Sequence, residues 1–105
     1  LVRSISHNIH ANSIMLTDRA LLENPGTFCE NFCAREELIL SESAAVFTRN
    51  GQKARLHYDP EKFDASIVHD TYVNVDNQIC AVWFLRLCSK EKAKQHTASI
   101  TVIPE

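Results

Sequence analysis

Asn50-Gly51 lies between two runs of alternating polarity, and that arrangement restricts the fold more than any other feature of the chain. A two-residue hairpin turn needs positive φ at both central positions, and asparagine and glycine tolerate it. The arms are Ala44 to Arg49 and Lys53 to Asp59. In the returning arm Lys53, Arg55 and His57 fall on one face, and Ala54, Leu56 and Tyr58 on the other. Such alternation describes a strand that is wet on one side and packed on the other. Asp59-Pro60 ends it, because proline supplies no ladder donor.

The same period of two recurs along the chain, and helical periodicity is almost absent. It predicts strands over Ser4 to His10, Ser13 to Leu22, Thr27 to Arg35, Glu37 to Leu40, Ala65 to His69, Ile79 to Cys88 and Ala98 to Ile103. Pro25-Gly26 marks a turn. Pro60 to Phe63 reads as a single turn with Phe63 as a plug. Asp70 to Gln78 reads as a polar loop, and Ser89 to His96 as a charged loop in which Lys90 to Lys94 forms one helical turn. The helical alternative at Ala34 to Ser43 lacks a cap. Ile79 to Cys88 is apolar on both faces, which suits the middle of a sandwich or a strand that also covers a neighbour. The expected fold class is all-β: an antiparallel β-sandwich of about eight or nine short strands, one domain over residues 1–105.

Composition narrows the function. The chain has 105 residues, 45% hydrophobic and 23% charged, with a formal charge of −2. Those are globular values. Acids and bases interleave, so the basic footprint that nucleic acid demands is missing. No apolar run approaches the ~20 residues of a membrane-spanning helix. Leu1-Val2-Arg3-Ser4 is neither an initiator methionine nor a signal peptide. It reads as the start of a piece of a longer protein.

The chemically capable residues do not converge in the pattern. His7 and His10 are an odd offset apart and point to opposite faces of a strand, so they cannot share a metal. Cys29 and Cys33 share a face but stand too far apart to bond to one another. The four cysteines, which include Cys80 and Cys88, read as reduced core thiols, with disulfides as the alternative. Tyr58 is in phase with Leu56 and reads as core. Asp18-Arg19 reads as a local ion pair or a guard against edge pairing. Both glycines, Gly26 and Gly51, are used in turns, and neither a phosphate loop nor a nucleophile elbow is present. The pattern therefore assigns no catalytic residue, metal ligand or cofactor. The residues suited to a sugar-binding surface are Trp83, Tyr72 and His69. The candidates for an apolar face that packs on another domain are Phe28, Phe32, Val82 and Phe84.

The order of these features carries a family resemblance. Ile14-Met15-Leu16-Thr17-Asp18-Arg19 leads to Pro25-Gly26 and to Phe28 through Phe32. The Ala45 to Leu56 hairpin follows, then Tyr58-Asp59-Pro60-Glu61-Lys62-Phe63, then Trp83-Phe84-Leu85-Arg86-Leu87 and a last strand. This progression resembles the C-terminal β-domain of heparinase II/III-like polysaccharide lyases. The resemblance implies a parent that joins an α/α toroid to β-sandwich domains and cleaves uronic-acid polysaccharides by β-elimination. It also implies that the catalytic tyrosine and histidines lie upstream of Leu1. The partners would be upstream domains of the same chain and an acidic polysaccharide, with no nucleic acid or membrane. The setting would be the bacterial cytoplasm or periplasm. The expectation is a non-catalytic domain that braces the catalytic ones; a carbohydrate-binding module and a generic interaction sandwich are the alternatives.

Overall fold

A computed structural model describes residues 1–105. Nine strands follow one another: β1 (Val2–Asn8), β2 (Ser13–Gly26), β3 (Cys29–Ala34), β4 (Ile39–Leu40), β5 (Ala44–Arg49), β6 (Gln52–His57), β7 (Phe63–Val73), β8 (Ile79–Ser89) and β9 (Ala93–Pro104). They form two antiparallel sheets, six strands in the order β1-β2-β9-β6-β5-β4 and three in the order β3-β8-β7. The protein is an all-β sandwich, as the period-two pattern predicts.

The β5–β6 hairpin forms at the predicted turn. Arg49 pairs with Gln52, and Asn50 and Gly51 adopt φ of 51° and 79°. Leu56 and Tyr58 are buried, while Lys53 and Arg55 are exposed. Pro60 to Phe63 makes the predicted single turn, closed on Asp59. Both Lys62 and Phe63 donate their N–H to the Asp59 carbonyl, and Phe63 is buried.

Pro25 and Gly26 end β2, with Gly26 opposite Ala93, rather than forming the expected turn, and two loops also differ from expectation. Asp70 to Val73 continues β7, because each residue pairs with β8, from Asp70↔Val82 to Val73↔Ile79. Only Asn74 to Gln78 turns. The Asn74 carboxamide oxygen accepts the N–H groups of Asp76 and Gln78, and Asn77 takes a φ of 61°. The predicted helical turn at Lys90 to Lys94 does not form, because β9 already begins at Ala93, opposite Gly26. In both cases cross-strand pairing overrides a polar composition.

The core lies where the small sheet covers the large one. Leu85 and Leu87 of β8 meet Ile100 and Ala98 of β9, Ala45 and Leu56 of the hairpin, and Tyr58 and Phe63. The Tyr58 hydroxyl donates to the carbonyl oxygens of Ser41 and Glu42, each 3.2 Å away. A buried phenol of this kind is an apolar plug with its polar end satisfied.

Three strands cannot cover six. The radius of gyration is 15.1 Å, against about 13 Å for a filled domain of this length. The β7–β8 hairpin runs past the end of β3, and Val73, Val75 and Ile79 at its tip are exposed. Ile5 and Ile14 share the inner face of the large sheet with Asp18, yet both are exposed. The part of the inner face around Ile5 and Ile14 is therefore bare.

Candidate functional site

The bare part of this face and the strand that borders it form the candidate site. β3 runs across the large sheet. Its register with β8 places Glu30, Phe32 and Ala34 on the inner face, with Leu87, Leu85 and Trp83. Glu30 lies over Asp18 of β2, whereas Asn31 to Cys33 border a groove with Phe47 of β5 and Ala54 of β6. One end of β3 seals the sandwich and the other leaves it open.

At the sealed end sits an ionic cluster. The Arg3 guanidinium donates Nε and Nη2 to the two Asp18 oxygens at 2.7 and 2.8 Å. Asp18 is fully buried. Its pKa is lowered, chiefly by the hydrogen bond from Arg3. Glu30 is 8% exposed, 3.8 Å from Arg3 Nη2, and neither of its oxygens has a hydrogen-bond partner. Burial, with Asp18 beside it, pushes its pKa up to about 7. Asp18 therefore pairs with Arg3 rather than with its exposed neighbour Arg19. It does not guard an edge, since β2 is paired on both sides.

The open end is a groove in two adjoining parts. Phe32, Phe47, Ala54, Leu56 and Val102 line a pocket of about 380 Å³. Cys33, Phe47 and Ala54 continue into a second, of about 510 Å³, where Arg35, Arg49 and Lys53 appear. No carboxylate lines either part. Glu36, next to Arg35 in sequence, accepts the Asn50 N–H instead. The outer edge of β3 is unpaired. Ser89 N donates to Phe28 O, so the alternation of an antiparallel ladder turns the N–H and C=O of Asn31 and Cys33 away from β8, to the free edge.

The cysteines overturn the expectation of reduced core thiols. Cys29 and Cys88 are direct partners across β3 and β8 and form a disulfide. Cys33 is an exposed thiol and Cys80 a half-buried one. The pairing joins residues 59 apart in sequence, and only the β3–β8 register brings them together.

The predicted sugar-binding residues divide between two faces. His69 and Trp83 are cross-strand partners and stack at 4.7 Å with an interplanar angle of 10°. Trp83 is half-buried against the core, and the exposed His69 ring covers its other face. Tyr72 pairs with Cys80, an odd offset from His69, and so faces the other way. The four residues predicted to make one packing face divide as well. Phe28 and Phe32 pack inward against the core, and Phe28 stacks on His96 at 5.9 Å. Phe84 pairs with Cys33 on the outer face, and Val82, in phase with it, is buried outside the main core. Of the predicted residues, only Phe32 lines the groove.

One depression gathers acids with bases: Glu61 and Glu91 lie there with Lys62 and His96. It measures about 390 Å³, and Ser89 and Thr97 also line it. There the histidine is engaged: Nε2 donates to the Gly26 carbonyl at 2.7 Å, and the ring packs on Phe28. Fold and site together define a two-sheet antiparallel sandwich with an open apolar face. No family model matches the chain, and no curated protein matches it.

Proposed function

We propose that this is a non-catalytic β-sandwich domain that packs against the other domains of a larger protein through the bare part of its large sheet. The resemblance supplies the class of that protein, a heparinase II/III-like polysaccharide lyase whose β-elimination cleft lies in those other domains. One observation carries the reading. Tyr58 and His96 are already hydrogen-bonded, while Ile5 and Ile14 stand exposed on a face built for burial. β-Elimination needs a base and a carboxylate-neutralising group converging on one cleft. The Cys29–Cys88 disulfide favours an oxidising compartment, such as the periplasm, over the cytoplasm.

The test has two arms. The purified domain, given heparin, heparan sulfate or alginate, produces no absorbance from unsaturated uronate; a rise would overturn the reading. In the full-length protein, Ile14→Asp should loosen the domain from its neighbours, read as faster proteolytic release. An unchanged release rate would count against docking by this face. Quenching of Trp83 fluorescence by acidic oligosaccharides would favour a carbohydrate-binding module instead.

A further inference from the structure

We infer that the free edge of β3 receives an extended polypeptide strand from the docking partner, apolar at alternate positions and acidic at the end that reaches Arg35 and Arg49. This deepens the docking reading and rests on it. The small sheet would grow from three strands to four, and the new strand would lie over the exposed part of the large sheet.

Three independent observations lead there. The first is backbone. Asn31 and Cys33 turn their N–H and C=O groups to a side where the chain offers no partner. A strand added at that edge satisfies them, the usual source of affinity in β-augmentation. The second is shape. An added antiparallel strand lies ~4.8 Å beyond β3. There its inward side chains meet Phe47, Ala54 and Val102, apolar groups that Phe32 alone does not cover. The period of two then requires every second residue of the partner to be apolar. The third is charge. Arg35, Arg49 and Lys53 line the outer end of the groove, and none has a carboxylate within 4.0 Å. Unpaired cations at one end of a strand-sized groove select carboxylates at the matching end of the occupant.

The other long free edges lack this combination. β1 exposes every residue. The outer half of β7, His69 to Val73, is exposed throughout. Neither edge contributes to the apolar groove. An acidic glycan would satisfy the arginines but would leave the apolar floor uncovered. A second copy would bring Arg35 and Arg49 of its own, and the one acid of its β3, Glu30, is buried beside Asp18.

The probe is a capped octapeptide alternating threonine and valine and ending in two aspartates, together with the version in which the aspartates lead. It is titrated into the oxidised, ¹⁵N-labelled domain. One of the two orientations is expected to shift the amides of Asn31, Cys33, Phe47 and Ala54 and to slow exchange of the Asn31 and Cys33 amides at least tenfold. Arg35→Glu with Arg49→Glu changes only exposed side chains; it should weaken binding at least tenfold while leaving the free-domain spectrum otherwise intact. The same peptide with lysines for aspartates should bind at least tenfold more weakly than the aspartate form. Absence of any shift with both orientations overturns the inference. So does binding insensitive to charge. Two further outcomes would also overturn it: a heparin oligosaccharide moving these amides when the peptides do not, or a concentration-dependent dimer protecting them. If the peptides fail while Ile14→Asp still releases the domain, strand addition falls and docking stands.

Discussion

The two ends of β3 differ in what they cover. At Glu30 the strand lies over β1 and β2 of the large sheet, and burial there holds the Asp18 and Glu30 carboxyls away from water beside the half-exposed Arg3. At Cys33, a few residues on, the thiol is exposed and the neighbouring apolar floor is half-open. Both ends are built from the same alternating pattern. What separates them is strand count, since three strands laid across six seal one region and leave another bare. Stability should accordingly concentrate at the sealed end, and interaction at the open one.

The largest expected effect tests where the sealed end gets its cohesion. Replacing Cys29 and Cys88 together by alanine frees a 59-residue separation. The loop-entropy account puts the loss at about 4 kcal/mol. Denaturant unfolding of the double variant, against the oxidised parent, measures it. A loss below ~1 kcal/mol would mean that packing alone holds β3 to β8.

Truncation compares the two ends directly. Leu85 is fully buried, and Leu85→Ala should cost about 3 kcal/mol. Val102 is half-exposed at the groove, and Val102→Ala should cost about 1 kcal/mol. Equal losses in urea midpoints, at unchanged slope, would break the division of the molecule into sealed and open regions.

The third effect isolates Glu30. Its carboxyl keeps a proton in the folded chain up to about pH 7, against an ordinary value of 4.5. Between those values the folded state binds more protons than the unfolded one, so stability falls as pH rises, and it levels off above 7. The full shift corresponds to up to about 3 kcal/mol. Asp18 works in the opposite sense. Its lowered value adds stability above about pH 4, and that contribution is lost in acid. The stability maximum should therefore lie between pH 4 and 5, a range set by the ordinary values of the two groups, 3.8 and 4.5. Glu30→Gln should flatten the slope between pH 4.5 and 7 and raise stability at pH 8. A slope that survives the substitution would assign it to another group.

Much of this architecture is legible in the sequence because side-chain alternation is a local property. The Asn50-Gly51 hairpin, the inward Tyr58 and the Phe63 plug follow from residues a few positions apart. Long-range register is not local. Nothing near Cys29 announces Cys88, and nothing near Asp18 announces Arg3 or Glu30; each pairing depends on which strands become neighbours. The groove is less legible still. It is a surface left uncovered, and no run of residues encodes the absence of a strand beside β3. One usable signal is local: Ile14 and Leu16 alternate on one face of β2, and Ile5 joins them only through the β1–β2 register.

The smallest effect sets two buried oxygen groups against each other. Tyr58 and Glu30 are almost equally covered, at 8% each, but the phenol has two carbonyl acceptors and the carboxylate has no hydrogen-bond partner. Removing a satisfied group forfeits a hydrogen bond and strands its partners, whereas neutralising an unsatisfied charge relieves a desolvation cost. Tyr58→Phe should therefore destabilise by about 1 kcal/mol. Burial raises the tyrosine pKa further above its ordinary 10.0, so the loss should stay constant from pH 5 to 9. Glu30→Gln should change sign or magnitude across the same range. Paired unfolding curves at pH 5 and pH 8 separate the two cases. If Tyr58→Phe proves neutral, the Ser41 and Glu42 carbonyls find water on its loss, and the core at that point is less sealed than the β3–β8 junction requires.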